Sequence, residues 1–218
     1  MSVSSDRRRA ALDLTAVAAV ACLALAPVVG DLGFYSDDWE FLAFFVFAED
    51  ASIPGLVEAM ANPIEVMRPA KMLLQAILFA AFGLEPLGYH LFNLLLQVTV
   101  AGLAYAVAAR SLERRDAALV AAVLVATLPH ASSSRFWYAA FQGPFSILCL
   151  LVTVWAELGA ATARGWRRAV LHLLALVALL TSTMAYEAAM PLFALIPLLT
   201  AWHAHRHGVA RPRRRAVL

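Results

Sequence analysis

The sequence predicts an all-α polytopic membrane protein of about six transmembrane helices, with a long first extracytoplasmic loop that carries short interfacial helices. Three observations predict it. Of the 218 residues, 62% are hydrophobic and 15% charged, with a mean hydropathy of +0.75. An ordinary soluble domain is about 45–50% apolar and about 25% charged, and its interior could not hold this much apolar side chain. Six apolar segments of spanning character recur along the chain, and arginines gather at the ends of alternate ones. The same composition excludes disorder, collagen and a disulfide-rich secreted module. The expected partner is the lipid bilayer, and no nucleic acid.

The first segment, Leu12–Gly30, follows a short cytoplasmic N-terminus, residues 1–11. Arg7–Arg9 and the small-residue run Ala24-Leu25-Ala26 imitate a signal peptide, but Pro27 just after that run blocks cleavage, so the segment reads as an uncleaved anchor. Asp13 is expected near its cytoplasmic end, reaching the interface. The remaining segments are Leu87–Ala109, Ala117–Pro129, Pro144–Ala163, Ala169–Tyr186 and Ala188–His203. They complete a six-span domain over residues 12–203, followed by a basic cytoplasmic tail, 204–218. Pro191 and Pro197 are expected to kink the last hairpin. Pro69–Phe82, at 14 residues, is too short to span and suits a re-entrant or interfacial helix. Cys22 and Cys149 fall in apolar stretches and read as small filler.

Orientation follows from the cations. Four clusters, around Arg7–Arg9, Arg110–Arg115, Arg164–Arg168 and Arg206–Arg215, hold 14 of the 17 Lys and Arg residues. The positive-inside rule puts all four in the cytoplasm. Between Arg9 and Arg110 the chain must then cross an even number of times, which two spans supply. Both termini are cytoplasmic. The Arg-heavy, Ala-rich composition, with Lys71 the sole lysine, suggests a bacterial cytoplasmic membrane.

Nine of the 15 acidic residues fall in the outer loop, residues 31–86. Loops beyond about 12–15 residues are usually functional or disordered, and this one is too apolar for disorder. Trp39–Phe47 and Ile53–Met60 are expected as amphipathic helices on the membrane surface. Directly after the first span comes Tyr35-Ser36-Asp37-Asp38-Trp39-Glu40. Paired carboxylates can act as a general base or bind a divalent metal, Mg or Mn. Helix neighbours point about 100° apart, so the two need not share a role, and a helix cap is the competing assignment. Arg68 opens the short apolar segment, where a guanidinium could hold a phosphate, snorkel, or pair with Glu65. His90 and Asn93 share a helical face and could cap or cross-link helices. Glu187 stands at the tip of the last hairpin, as an interfacial residue or part of a polar site. Trp137 and Tyr138 suggest an aromatic belt.

Four blocks together resemble the N-terminal half of the GT-C class of integral-membrane glycosyltransferases, nearest the protein O-mannosyltransferase and bacterial family-39-like proteins. Tyr35–Trp39 resembles that class's acidic motif in the first outer loop. Arg68-Pro69, followed by Phe82-Gly83-Leu84-Glu85-Pro86-Leu87-Gly88-Tyr89-His90-Leu91-Phe92-Asn93-Leu94-Leu95-Leu96, is the most specific block. His130–Trp137 with Ser146–Leu151, and Tyr186-Glu187 before Pro191-Leu192, resemble later blocks. The resemblance implies a polyprenyl-phosphate sugar donor and outward-facing transfer to an acceptor hydroxyl. It makes Asp37 and Asp38 the catalytic and metal-binding candidates, and Arg68, His90 and Glu187 the substrate-binding candidates.

Three departures stand against it. Ser132-Ser133-Ser134-Arg135 replaces an expected acid, Tyr186 replaces an expected lysine, and fewer spans are present than in full members of the class. The chain therefore also reads as a truncated relative that serves as a non-catalytic partner or scaffold for a second membrane subunit. A transporter is a further alternative, without the internal repeats or mid-membrane polar residues that transporters tend to have.

Overall fold

A computed structural model describes residues 3–128 and 132–206. The α-helices run in order: α1 (Val3–Val29), α2 (Asp37–Val46), α3 (Ile53–Ala59), α4 (Pro69–Phe82), α5 (Pro86–Leu112), α6 (Arg115–Thr127), α7 (Ser132–Phe136), α8 (Gln142–Thr162), α9 (Trp166–Ala185) and α10 (Leu195–Arg206). Short 3-10 segments cover Glu65–Met67, Tyr138–Phe141 and Glu187–Ala194, and no strand occurs among the described residues. Five segments are long and apolar enough to cross a membrane: Arg8–Val29, Pro86–Leu112, Tyr138–Thr162, Trp166–Ala185 and Glu187–Arg206. They leave apolar side chains uncovered, among them Leu23 at 75% and Leu198 at 66% exposure. Such surface is a liability in water and is matched by lipid tails. The chain is an all-α membrane protein.

The expected third span is the shortest of the six. Ala117–Pro129 is represented by α6, a helix of 13 residues. That is about 20 Å at 1.5 Å per residue, against a hydrocarbon core of about 30 Å. Pro129, His130 and the basic tail beyond Arg206 lie outside the described residues. What the sequence does explain is how α6 packs. Ala118, Ala122 and Ala126 form a stripe of small residues at four-residue spacing, buried against Val17 and Ala21 of α1 and Ala101 and Tyr105 of α5. Small side chains let helix backbones approach closely where lipid offers no hydrophobic drive.

Asp13 closes this three-helix unit. It is only 3% exposed, accepts a hydrogen bond from the Tyr105 hydroxyl at 2.6 Å, and is gripped by the Arg115 guanidinium. A carboxylate is tolerated there because a cation and a second donor compensate its desolvation. Hydroxyls do similar work between α8 and α9. Ser146 and Ser182 hydrogen-bond each other at 2.9 Å, and Thr153 donates to the Ala175 carbonyl at 3.2 Å. The last hairpin changes helix type along its second arm. α9 stops at Ala185, Pro191 sits within the 3-10 segment, and Pro197 falls in the first turn of α10, where a missing N–H costs nothing.

The Phe82–His90 run is a built turn. Gly83 adopts φ +55°, open to glycine at little cost, and ends α4. The Tyr89 hydroxyl donates to the Gly83 carbonyl at 2.7 Å. Gly88 leaves room for the Phe82 ring, whose Cγ would lie 2.3 Å from a Cβ added there. α2, α3 and α4 pack on one another through Phe45, Leu56, Met60, Met72 and Ala76. They lie at the end of the bundle where α1 and α9 finish and α5 and α8 begin. Arg110, Arg114, Arg115, Arg164, Arg167 and Arg168 mark the opposite ends of the long helices.

Candidate functional site

Ser36 sets the geometry of the acidic motif. Its φ of 50° is in the left-handed region, which a serine adopts only when its surroundings impose it. Asp38 imposes it. One carboxylate oxygen accepts the Tyr35 N–H at 2.8 Å and the other accepts the Ala139 N–H at 2.7 Å. Asp38 is fully buried. Burial pushes its carboxyl above the usual carboxylate range, against the pull of those two amides. Asp37 is exposed and takes a hydrogen bond only from the neighbouring Ser36 hydroxyl, at 2.9 Å. The two carboxylates therefore divide: Asp38 fastens α2 to the start of the Tyr138–Phe141 segment, and Asp37 is left facing outward.

Asp37 lines a cleft of about 470 Å³ together with Glu65, Arg68, Lys71, Trp137 and Tyr186. Arg68 enters it from the N-terminus of α4. Its fork is closed by Glu187, Nε donating at 3.0 Å and the second arm forming the ion pair, and this partner raises the guanidinium's already high pKa. The guanidinium also lies 4.9 Å from the centre of the Tyr186 ring. The pairing weighed for Arg68 from sequence, with Glu65, is replaced by this one. The 3-10 segment after Tyr186 swings Glu187 across to α4, a contact between residues 119 apart in sequence.

Glu65 is bound to Lys71 instead. Lys71 Nζ donates to Glu65 Oε1 at 2.7 Å and sits 4.1 Å from the centre of the Phe41 ring, with both residues buried. Burial pulls the Lys71 ammonium below the ordinary lysine value, and Glu65 opposes that pull. Sequence reasoning passed over this pair. The available signal was a lysine and a glutamine, Lys71 and Gln75, one turn apart on the face of an otherwise apolar helix.

His90 does not line the cleft. It is 2% exposed, and its Nε2 makes a 3.1 Å hydrogen bond to the Gly33 carbonyl, tying the segment before the acidic motif to α5. Asn93 donates to the carbonyls of Ser134 and Arg135 at 3.1 and 2.7 Å. Both residues cross-link elements. Trp137 donates to the Tyr35 carbonyl at 3.2 Å. Tyr138 is no belt residue: it is 1% exposed and packs between Tyr89 and Phe141, ring centres 4.5 and 5.5 Å away.

Among the described residues no group of three or more His, Cys, Asp or Glu side chains is placed to hold a metal ion. With both Asp38 oxygens on backbone amides, the acidic motif offers one open carboxylate. Comparison with known proteins finds no matching family model, no matching curated protein and no matching solved structure.

Proposed function

We propose that the chain is a membrane glycosyltransferase, or the N-terminal part of one, that moves a sugar from a polyprenyl-phosphate donor to an acceptor hydroxyl outside a bacterial cytoplasmic membrane. The observation that carries this reading is one cleft lined by an open carboxylate, Asp37, and a guanidinium, Arg68, at the bundle end opposite the arginine clusters. In this reading the acceptor oxygen attacks the anomeric carbon and its proton passes to Asp37 as general base. The bond from that carbon to the phosphate oxygen breaks, and Arg68 stabilises the negative charge that collects on the departing polyprenyl phosphate. Glu187 holds the Arg68 fork until the phosphate displaces it. Asp38 and His90 act as positioning residues behind Asp37. The six-span topology with cytoplasmic termini belongs to the same reading, with α6 as the third crossing.

The test is transfer of radiolabelled sugar from a polyprenyl-phosphate donor in membranes containing the full chain. Asp37→Asn is expected to reduce transfer by about 10²-fold or more, the scale of a general base. Transfer that survives Asp37→Asn unchanged overturns the assignment. A second reading, a non-catalytic partner of another membrane protein, is favoured by the closed Arg68–Glu187 pair, which leaves the fork satisfied without a ligand. It predicts no transfer by the purified chain and co-purification with a polytopic partner.

A further inference from the structure

A second pocket, of about 520 Å³, opens where α1 finishes, and Asp31, Phe34, Tyr35, Ser133, Phe136 and Trp137 line it. Trp137 is the wall it shares with the cleft. The pocket is walled by aromatic rings, and its one charged lining residue is an acid. The Tyr35 and Trp137 rings stand at 81° to each other, with centres 6.4 Å apart. The bond from the indole Nε1 to the Tyr35 carbonyl holds that corner in place. Tyr35 is 70% exposed, so its ring is open to a ligand. A cation within about 6 Å of such ring centres is attracted by the negative faces of the rings.

No basic side chain answers the Asp31 carboxylate. Asp31 is exposed and makes no ion pair among the described residues. Its N–H bonds back to the Val28 carbonyl at 3.0 Å, which sets the acid beside the C-terminal end of α1. That end is the negative pole of the helix, and its last turn holds no basic residue. An acid there adds to the negative potential instead of offsetting it. The one cation of α7, Arg135, is buried and donates to the Val125 carbonyl at 3.3 Å. Such a pocket repels an anion, and a neutral apolar group leaves its potential unused. An organic ammonium group meets both the carboxylate and the rings. We infer that this pocket binds the ammonium group of a membrane lipid of the ethanolamine class. Its N–H groups donate to Asp31, and its charge lies against Tyr35 and Trp137. Lipid is the source because α1 includes a segment able to span a membrane and Asp31 follows its end by two residues, at head-group depth. The site stands apart from the transfer reading above and does not depend on it.

The experiment measures lipid retention by the purified full chain in detergent, by native mass spectrometry. The probes are phosphatidylethanolamine and phosphatidylglycerol with the same tails. Wild type is expected to hold the ethanolamine lipid about tenfold more tightly, the scale of an exposed ion pair plus a cation–π contact. Asp31→Asn removes the charge at an exposed position. Tyr35→Leu removes the ring and leaves the backbone bonds of residue 35 in place. Each is expected to bring the preference to within about twofold. Tyr35→Phe, which keeps the ring, is expected to keep the preference. The Tyr35→Leu result separates the pocket from general repulsion of the glycerol lipid by the acidic loop, because that repulsion survives the substitution. Choline should displace the ethanolamine lipid, and its uncharged analogue, with a tert-butyl group in place of the trimethylammonium, should not. Equal retention of the two lipids by wild type overturns the proposal. A preference that Asp31→Asn or Tyr35→Leu leaves intact also overturns it. Displacement by the uncharged analogue as well as by choline overturns the ammonium class. Choline binding by a protein with no lipid preference assigns the pocket to a free ammonium compound and overturns the lipid source.

Discussion

Asp38 and Asp37 are adjacent carboxylates with opposite expected behaviour, and that contrast is the sharpest test of the local structure. Asp38→Ala removes the acceptors of two backbone N–H groups. The Ala139 N–H is buried and would be left without a partner, at about 1–3 kcal/mol. The Tyr35 N–H is half-buried and can partly recover through water, so its bond accounts for about 0.5–1.5 kcal/mol. The expected destabilisation is about 1.5–4.5 kcal/mol. Asp37→Asn changes an exposed group whose hydrogen bond comes from its neighbour's hydroxyl, and should stay within about 0.5 kcal/mol of wild type. Equilibrium unfolding in mixed micelles titrated with SDS, followed by tryptophan fluorescence, measures both. The dependence on pH has a definite sign. Burial raises the Asp38 carboxyl above its unfolded value, so the folded state holds that proton more tightly. Its contribution is fully favourable below the unfolded value of about 3.9 and is lost as pH rises through the raised folded value. Relative to Asp38→Asn, wild type should therefore gain stability as the pH falls through that window. An Asp38→Ala protein as stable as wild type would refute the argument that this carboxylate holds the Ser36 turn.

Ser36→Gly should stabilise the fold by about 1 kcal/mol in the same unfolding assay, because glycine accepts the positive φ that serine resists; a loss of stability would show that the Ser36 hydroxyl, not its backbone, matters. Gly88→Ala should destabilise by about 1–3 kcal/mol, since the new Cβ meets the Phe82 ring near its root rather than at a flexible tip. Phe82→Ala in the same chain should relieve that clash, and no relief would refute it. With Cys22 and Cys149 replaced, a cysteine at exposed Ala51 should react with an impermeant thiol reagent added to intact cells, and one at exposed Arg164 should not. The reverse pattern would turn the cleft toward the cytoplasm and remove the basis for a lipid-linked donor.

The sequence by itself determined the class and most of the helices. Hydropathy is a local property summed over about 20 residues, so the long apolar helices and the short Pro69–Phe82 helix are legible from composition alone. Proline at the first turn and glycine after the last set the ends of α4 just where Pro69 and Gly83 stand. The partners of α6 were not legible, because its alanines are as apolar as those of a span and only the tertiary structure places them against α1 and α5. The site divides in the same manner. Asp37, Asp38, Arg68 and Glu187 are visible as charges in an apolar chain, but their partners are not. Glu187 reaches Arg68, Asp38 reaches the Ala139 amide and Arg115 reaches Asp13 across separations of 101 to 119 residues. Hydrogen bonds form between whatever groups the packing of helices brings within about 3 Å. A sequence pattern shows which residues are able to pair, and tertiary structure alone selects which of them do. That selection is what made Asp38 a structural anchor, left Asp37 open, and put the sole lysine against Glu65 in the floor of the cleft.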